Sequence, residues 1–385
     1  MIRRSLPVAL LFLLFSHLIG PAAVAQMVLV DKGDQHLTLA GYVDLQYERL
    51  ETQRVAVDRV FFRRLMLTMN GTATRNWNGV FQFDLAPATA GGTIVFKDVY
   101  LQYLGWASRG LTLQIGNQKM PFSRSVLASS SRRNVVERPF AGERASGSPG
   151  RALAIKMDGW HVKRTLYWSA ALASALHSPV TSEIRVDGLA ESESTWNEGW
   201  TTAGRVEWHP LGETPRAQGA FEEDLRVTIG AGALAWRNDG DRNLNPEPDP
   251  LGLRADKEAV NGLEISGGLR GHRISVDCEY ERVTATTVLP GFSGGLYQDG
   301  HTRLHKASLE AGYMVLPQHL EIVGAIDQLS ADTFESPSRR AAAGVSWYVD
   351  GHRLRFQLMH RLTVNDRGIS GARRQTSALQ AQIAF

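Results

Sequence analysis

The sequence predicts an all-β fold, a transmembrane antiparallel β-barrel of about 16 strands with one inward-folded loop. Three observations predict it. Apolar and polar residues alternate along most of the chain, with almost no sustained helical period. The apolar phase of each segment is almost wholly apolar while the other phase is freely charged, as on a strand between lipid and a watery lumen. Beyond the N-terminal segment no apolar run reaches about 18 residues, so a membrane crossing falls to strands. The 385 residues are 43% apolar and 21% charged, with 37 Gly, 15 Pro, one Cys and a mean hydropathy of −0.20. Such a composition excludes disorder, collagen and a disulfide framework.

The first 25 residues differ in kind. Arg3 and Arg4 precede an apolar core from Leu6 to Ile19, and Ala23-Val24-Ala25 offers a small-x-small cleavage site before Gln26. Residues 1–25 are expected to be a Sec-type signal peptide cut near Ala25/Gln26, leaving residues 26–385 as a single barrel domain. Losing the two arginines lowers the formal charge from +3 to +1, so net charge singles out no partner.

The alternating segments follow in order near residues 36–48, 58–72, 77–86, 92–105, 110–119, 150–158, 161–173, 199–209, 224–237, 259–270, 272–284, 302–316, 318–329, 339–349, 352–364 and 375–385. Ile274, Val276, Cys278 and Tyr280, for example, oppose Ser275, Asp277, Glu279 and Glu281. The single cysteine, Cys278, therefore falls in the apolar phase, as an inert packing or lipid-facing thiol. Strands of roughly 10 residues suffice to cross a bilayer, and the remainder supplies connections that alternate short and long. Asn76-Trp77-Asn78-Gly79, Leu316-Pro317-Gln318 and Asp350-Gly351-His352 are tight turns, whereas 174–198, 238–258 and 285–301 are Gly, Pro, Asp, Asn and Ser rich. Trp77, Tyr103, Trp106, Trp208 and Trp236 fall near segment ends, the places of an aromatic girdle. The last strand stops on an apolar-phase aromatic, Phe385, as outer-membrane barrels generally do for their insertion machinery.

Residues 119–151 do not alternate and are too long for a turn. Seven basic residues, Lys119, Arg124, Arg132, Arg133, Arg138, Arg144 and Arg151, stand there against Glu137 and Glu143, a net +5 in a mature chain of +1. A long irregular segment of this kind is either a solvated surface loop or a loop folded into a pore, where it focuses a positive potential. Arg132 and Arg133, the densest charge, directly follow Ser129, Ser130 and Ser131, whose hydroxyls can donate to an anion.

The motifs around this loop resemble the phosphate-selective porin O/P family of outer-membrane proteins. They are Phe62-Arg63-Arg64, Asn70-Gly71, Asn76-Trp77, Phe83-Asp84, Phe96-Lys97-Asp98-Val99-Tyr100-Leu101-Gln102-Tyr103, Gly116-Asn117-Gln118-Lys119-Met120-Pro121-Phe122-Ser123, Ser129 to Ser131, Glu137-Arg138 and Pro149-Gly150-Arg151, with a weaker echo at Gly344-Val345-Ser346-Trp347-Tyr348. The resemblance implies a homotrimer of sixteen-stranded barrels in a Gram-negative-type outer membrane, each with an arginine-lined eyelet that passes anions. It places the eyelet's arginine pair on Arg63 and Arg64, its carboxylate on Asp98, and the loop lysine and serines on Lys119 and Ser129 to Ser131. Adjacent residues of a regular strand point to opposite faces, so one of Arg63 and Arg64 needs a bend, a bulge or a carboxylate partner such as Asp84. With only seven lysines in the chain, any electrostatic funnel is mostly arginine.

Catalytic and metal motifs fail on context. Gly291-Phe292-Ser293-Gly294-Gly295 fits G-x-S-x-G but lies in a Gly-rich loop rather than a strand-turn-helix elbow. Gly230-Ala231-Gly232-Ala233-Leu234-Ala235 imitates a dinucleotide fingerprint with no helix after it. Asp239, Asp241, Asn243 and Asn245 begin like a calcium loop but lack its Gly and its final Glu. The expectation is a passive porin, anion-selective for phosphate or related oxyanions, not an enzyme, with no cofactor, metal or nucleic acid. A general or other-solute porin of the same fold, and a barrel enzyme or structural adhesin with a closed lumen, are the competing classes.

Overall fold

A computed structural model describes residues 26–143, 146–161, 163–174, 199–237, 258–287, 293 and 296–385. The expected signal segment 1–25, the calcium-like string at 239–245, most of the G-x-S-x-G string and most of the three long loops lie outside the described residues.

Seventeen strands are described: β1 Met27–Lys32, β2 Gln35–Thr52, β3 Ala56–Thr74, β4 Trp77–Asp84, β5 Val95–Tyr103, β6 Leu111–Lys119, β7 Arg151–His161, β8 Leu166–Ser174, β9 Trp200–Trp208, β10 Arg226–Arg237, β11 Glu258–Gly271, β12 Ile274–Thr287, β13 His301–Leu316, β14 Leu320–Ala331, β15 Ser338–Asp350, β16 Leu354–Val364 and β17 Arg373–Ala384. From β2 onward each strand pairs antiparallel with the next, and β17 closes the ring onto β2 from Arg374 opposite Thr52 to Ala384 opposite Tyr42. Phe385 finishes the seam, its N–H donating to Gly41 O at 2.9 Å while its carbonyl accepts from Gly41 N at 2.8 Å. The ring is thus a closed barrel of 16 strands, and each alternating segment of the sequence supplies one of them. The short β1 stands outside the ring, paired with the part of β2 that projects beyond the seam.

The barrel is inside out relative to a water-soluble protein. Leu263 and Ile265 on β11 are 64% and 63% exposed, while the alternate residues Glu264 and Ser266 are buried. On β14 to β17, Ile322, Ile326, Leu358 and Ile383 likewise face outward, and Glu321, Gln357 and Gln382 inward. An apolar band of this extent is unfavourable in water by about 25 cal/mol per Å² and is satisfied by lipid. Cys278 lies on this outer, exposed face. At the end of the barrel that holds Phe385, Trp77, Trp106, Trp208 and Trp347 are half exposed, and Tyr103 lies 5.0 Å from Trp77 and 5.2 Å from Trp106 between ring centroids. Trp236 departs from the expected girdle. It is 2% exposed and faces the lumen, where it packs against the root of the inward loop.

Candidate functional site

After Lys119 the chain leaves the wall and enters the lumen. Met120 and Phe122 are buried against Trp236, Val260, Val283 and Leu304, an apolar foothold inside an otherwise polar barrel. The small residues of β10 make room for it. A Cβ at Gly232 would lie 2.6 Å from Phe122 O, which accounts for the glycine-alanine run without any nucleotide. Ser123 then caps a single helical turn, Arg124–Leu127, by accepting from Val126 N at 3.2 Å.

Beyond this turn the loop is fastened across the wall. Arg124 pairs with Asp277 on β12 at 2.9 Å and Arg133 with Glu310 on β13 at 2.6 Å, both guanidiniums almost fully buried. Ser125 donates to Glu279, Asn134 Nδ2 donates to Glu321 at 3.3 Å, and Gln357 Nε2 donates to Asn134 O at 2.9 Å. Val135 and Val136 pack on Val323, Met359 and Ala378. On the return, Phe140 N donates to Asp327 at 3.0 Å, Glu143 pairs with Arg340 at 2.6 Å, and Ser148 joins the buried Lys306–Glu281 pair. Breaking a buried ion pair leaves an uncompensated charge and is costly, so the loop is a fixed partition rather than a mobile flap.

On the other side of the partition, against β2 to β7, lies a cavity of about 740 Å³. Arg63, Arg64, Lys97, Lys119, Arg138, Arg151, Lys156 and Arg216 line it, against Asp84, Asp98, Glu137 and Glu143. Two bulges give the wall this density of charge. The β2/β3 register passes from Asp44 opposite Arg64 to Leu45 opposite Phe62, so Arg63 is an extra residue and both arginines reach the lumen. The β4/β5 register passes from Phe81 opposite Val99 to Phe83 opposite Phe96, which places Lys97 and Asp98 together in the same way.

The charges differ in how they are held. Arg63 forks onto Glu137 with two contacts of 2.9 Å, and Arg151 onto Asp98 with contacts of 2.9 and 2.8 Å. Arg64 has Asp44 at 3.3 Å rather than the expected Asp84, which lies 3.7 Å from Lys97. Burial opposes ionisation of Glu137, but Arg63 overrides it and holds the carboxyl down to about 2. Among the described residues Arg138 has no such partner. It donates to the carbonyls of Ser125 and Ala128 and to Ser130 Oγ. Burial, and then the guanidiniums of Arg133, Arg64 and Arg151, push it down to about 9. Lys119 Nζ donates only to carbonyls among the described residues, Leu127 O at 3.0 Å and Ala128 O at 3.2 Å.

Six of the nine residues singled out in the sequence, Arg63, Arg64, Asp98, Lys119, Ser129 and Ser130, therefore share one cavity. Ser131, Arg132 and Arg133 do not line it. Arg132 is exposed, and Arg133 points the other way into its pair with Glu310. Arg138, Lys97, Lys156 and Arg216 were not singled out. The inward phase of its strand was a signal for Lys156, whereas Arg216 belongs to no alternating segment.

Residues 39–218 match the family model described as phosphate-selective porin O and P. Over this stretch, a little under half of the chain, the sequence is similar to that porin family. No curated protein matches the sequence. Among solved structures, the porin's fold is similar to the anion-selective porin from Comamonas acidovorans (TM-score 0.63, 10% identity, 91% of this chain and 100% of the other). It is also similar to the outer-membrane channel DcaP of Acinetobacter baumannii (TM-score 0.60, 12% identity, 92% and 99%) and to the trimer form of OmpT, an outer-membrane protein of Vibrio cholerae (TM-score 0.55, 11% identity, 91% and 99%). Identities this low speak for the fold, and the fold is that of an outer-membrane porin.

Proposed function

We propose that the protein is a passive, anion-selective porin that admits phosphate or related oxyanions, works as a homotrimer, and has the end holding Phe385 toward the periplasm. The reading is carried by one observation: Arg138 and Lys119 enter the cavity beside Ser129 and Ser130 with their donors, among the described residues, set on carbonyls and a hydroxyl. An oxyanion entering there exchanges its hydration shell for guanidinium, ammonium and hydroxyl donors. Asp84, Asp98, Glu137 and Glu143 keep the well shallow enough for release. The chain acts as a channel and not as an enzyme. Residues 1–25 serve as the secretory signal, and Phe385 addresses the barrel to its assembly machinery. The trimer is assigned to the flank of β4 to β6, whose strands are only 8 and 9 residues long and whose outer groove is lined by Leu37, Met69, Val80, Phe81, Val99, Leu101 and Ile115.

Reconstitution in planar bilayers tests the function. In a salt gradient the zero-current potential should have the sign of anion preference, and added phosphate should reduce chloride current. Absence of conductance from folded protein refutes the channel, and cation preference refutes the selectivity. Undiminished chloride current would leave a general anion porin.

A further inference from the structure

The connection between β9 and β10, residues 209–225, lies at the barrel end that holds Phe385, where tight turns are the rule, yet it does not stay outside. Thr214, Gln218, Gly219 and Ala220 are buried, while Glu222, Glu223, Asp224 and Leu225 are exposed. The segment crosses the mouth of the lumen as a strap. Arg270 Nε of β11 donates to Ala217 O at 2.8 Å, Gly219 N donates to Ser275 Oγ of β12 at 3.2 Å, and His352 Nε2, on the far side, donates to Gln218 O at 2.8 Å. The strap also grips the inward loop from below. Gln218 N donates to Arg132 O at 2.7 Å, Asn134 N donates to Gln218 Oε1 at 3.0 Å, and Gln218 Nε2 donates to Glu310 at 2.7 Å. Loop and strap together occlude the side of the lumen formed by β11 to β16. An ion is left the crescent along β2 to β7.

One side chain of the strap enters that crescent. Arg216 lines the cavity together with Lys119, its guanidinium 5.0 Å from the Tyr167 ring and its Nη2 donating to Glu207 at 3.0 Å. Glu207 is shared, since Arg205 Nε also donates to it at 2.7 Å. The two arginines differ in access, which separates structure from transport. The Arg205 side chain is 0% exposed, and that of Arg216 is 30% exposed. We propose that residues 209–225 form a second constriction at the Phe385 end of the pore and that Arg216, delivered by this strap and not by the wall or the loop, is the exit-side residue that determines anion selectivity. The inference rests on the anion-channel reading above and adds to it a residue and a constriction.

The experiment is the zero-current potential of Arg216→Gln beside wild type and Arg226→Gln. Arg226 is the control because it lies at the outer foot of the same strap, donating to Leu211 O at 2.9 Å and facing Asp224, and does not line the cavity. Arg216→Gln should lower the anion to cation permeability ratio by at least about threefold, and Arg226→Gln should leave it within about 1.5-fold. A wild-type ratio in Arg216→Gln protein that retains the folded electrophoretic form would overturn the proposal. Arg216→His covers the case in which glutamine prevents assembly, because its charge is switched after folding. Its ratio should fall between about pH 5 and about pH 8.5 by more than the wild-type ratio does, and equal changes would equally overturn the role. A wild-type channel without anion preference would instead sink the underlying function, a result these variants leave distinguishable.

Discussion

The two densest arginines of the sequence and the one that follows them five residues later make a quantitative contrast. Consider Arg138→Gln against Arg132→Gln. Arg138 is held in the cavity wall by three neutral oxygens and surrounded by guanidiniums of the same sign. At an effective dielectric of about 20, a unit charge about 4 Å from a passing anion contributes about 4 kcal/mol. Water in a cavity of about 740 Å³ screens part of this. If about a third survives, the loss on neutralisation is about 1.4 kcal/mol, or tenfold in the anion to cation ratio. Arg132 is exposed, its backbone carbonyl rather than its charge being used by the strap, and salt at about 0.1 M screens exposed charges beyond about 10 Å. Its replacement should change the ratio less than about twofold. Zero-current potentials at two ionic strengths measure both variants, with Arg138→Lys as the control that keeps charge and loses the fork. If Arg132→Gln shifted the potential as much as Arg138→Gln does in folded protein, the assignment of the ion path to the β2–β7 side would be wrong.

Two further outcomes follow from the same geometry. Glu137 is held down to about 2 by Arg63, so its contribution to loop docking is complete above the ordinary carboxylate value of 4.5 and is lost as pH falls through about 2; channel noise and selectivity should degrade across that window, and Glu137→Gln should abolish the dependence, an unchanged acid profile counting against the tether. A side chain at Gly232 would press on the carbonyl of Phe122, so Gly232→Val should displace the root of the inward loop and raise single-channel conductance while circular dichroism still reports the barrel; unchanged conductance would mean that this foothold does not set the loop's position.

The barrel was legible because its defining force acts residue by residue. Each strand lies between lipid and water, so the period of 2 is written into side chains such as Ile274, Val276 and Tyr280, and a slip by one residue would put every glutamate of β12 into lipid. Elements without that contrast escaped. In β1, Met27-Val28-Leu29-Val30 is an unbroken apolar run, with each residue at least 42% exposed, and no alternation marks it as a strand. The strap 209–225 has the composition of a solvated connection. Its burial depends on Ala217 O, Gln218 and Gly219 meeting β11, β12 and β13, partners with which it shares no local pattern.

The site was legible only in part, for a related reason. A net +5 across 119–151 marks a segment that stands apart from the alternating strands, but it treats every arginine alike. Inside a barrel whose wall carries inward carboxylates, what an arginine contributes depends on the wall residue it meets and on how many cations share that residue. Arg133 meets Glu310, 177 positions later in the chain, and Arg124 meets Asp277, 153 positions later. Those two became fasteners. Arg138, five residues beyond Arg133, meets carbonyls and a serine and lines the cavity. The strand register that brings Glu310 to Arg133 is fixed by the whole ring of pairings from β2 to β17, since each strand's height follows from its neighbour's. Charge density in a sequence therefore marks the loop, and only the closed register decides which of its cations face the cavity and which are fastened to the wall.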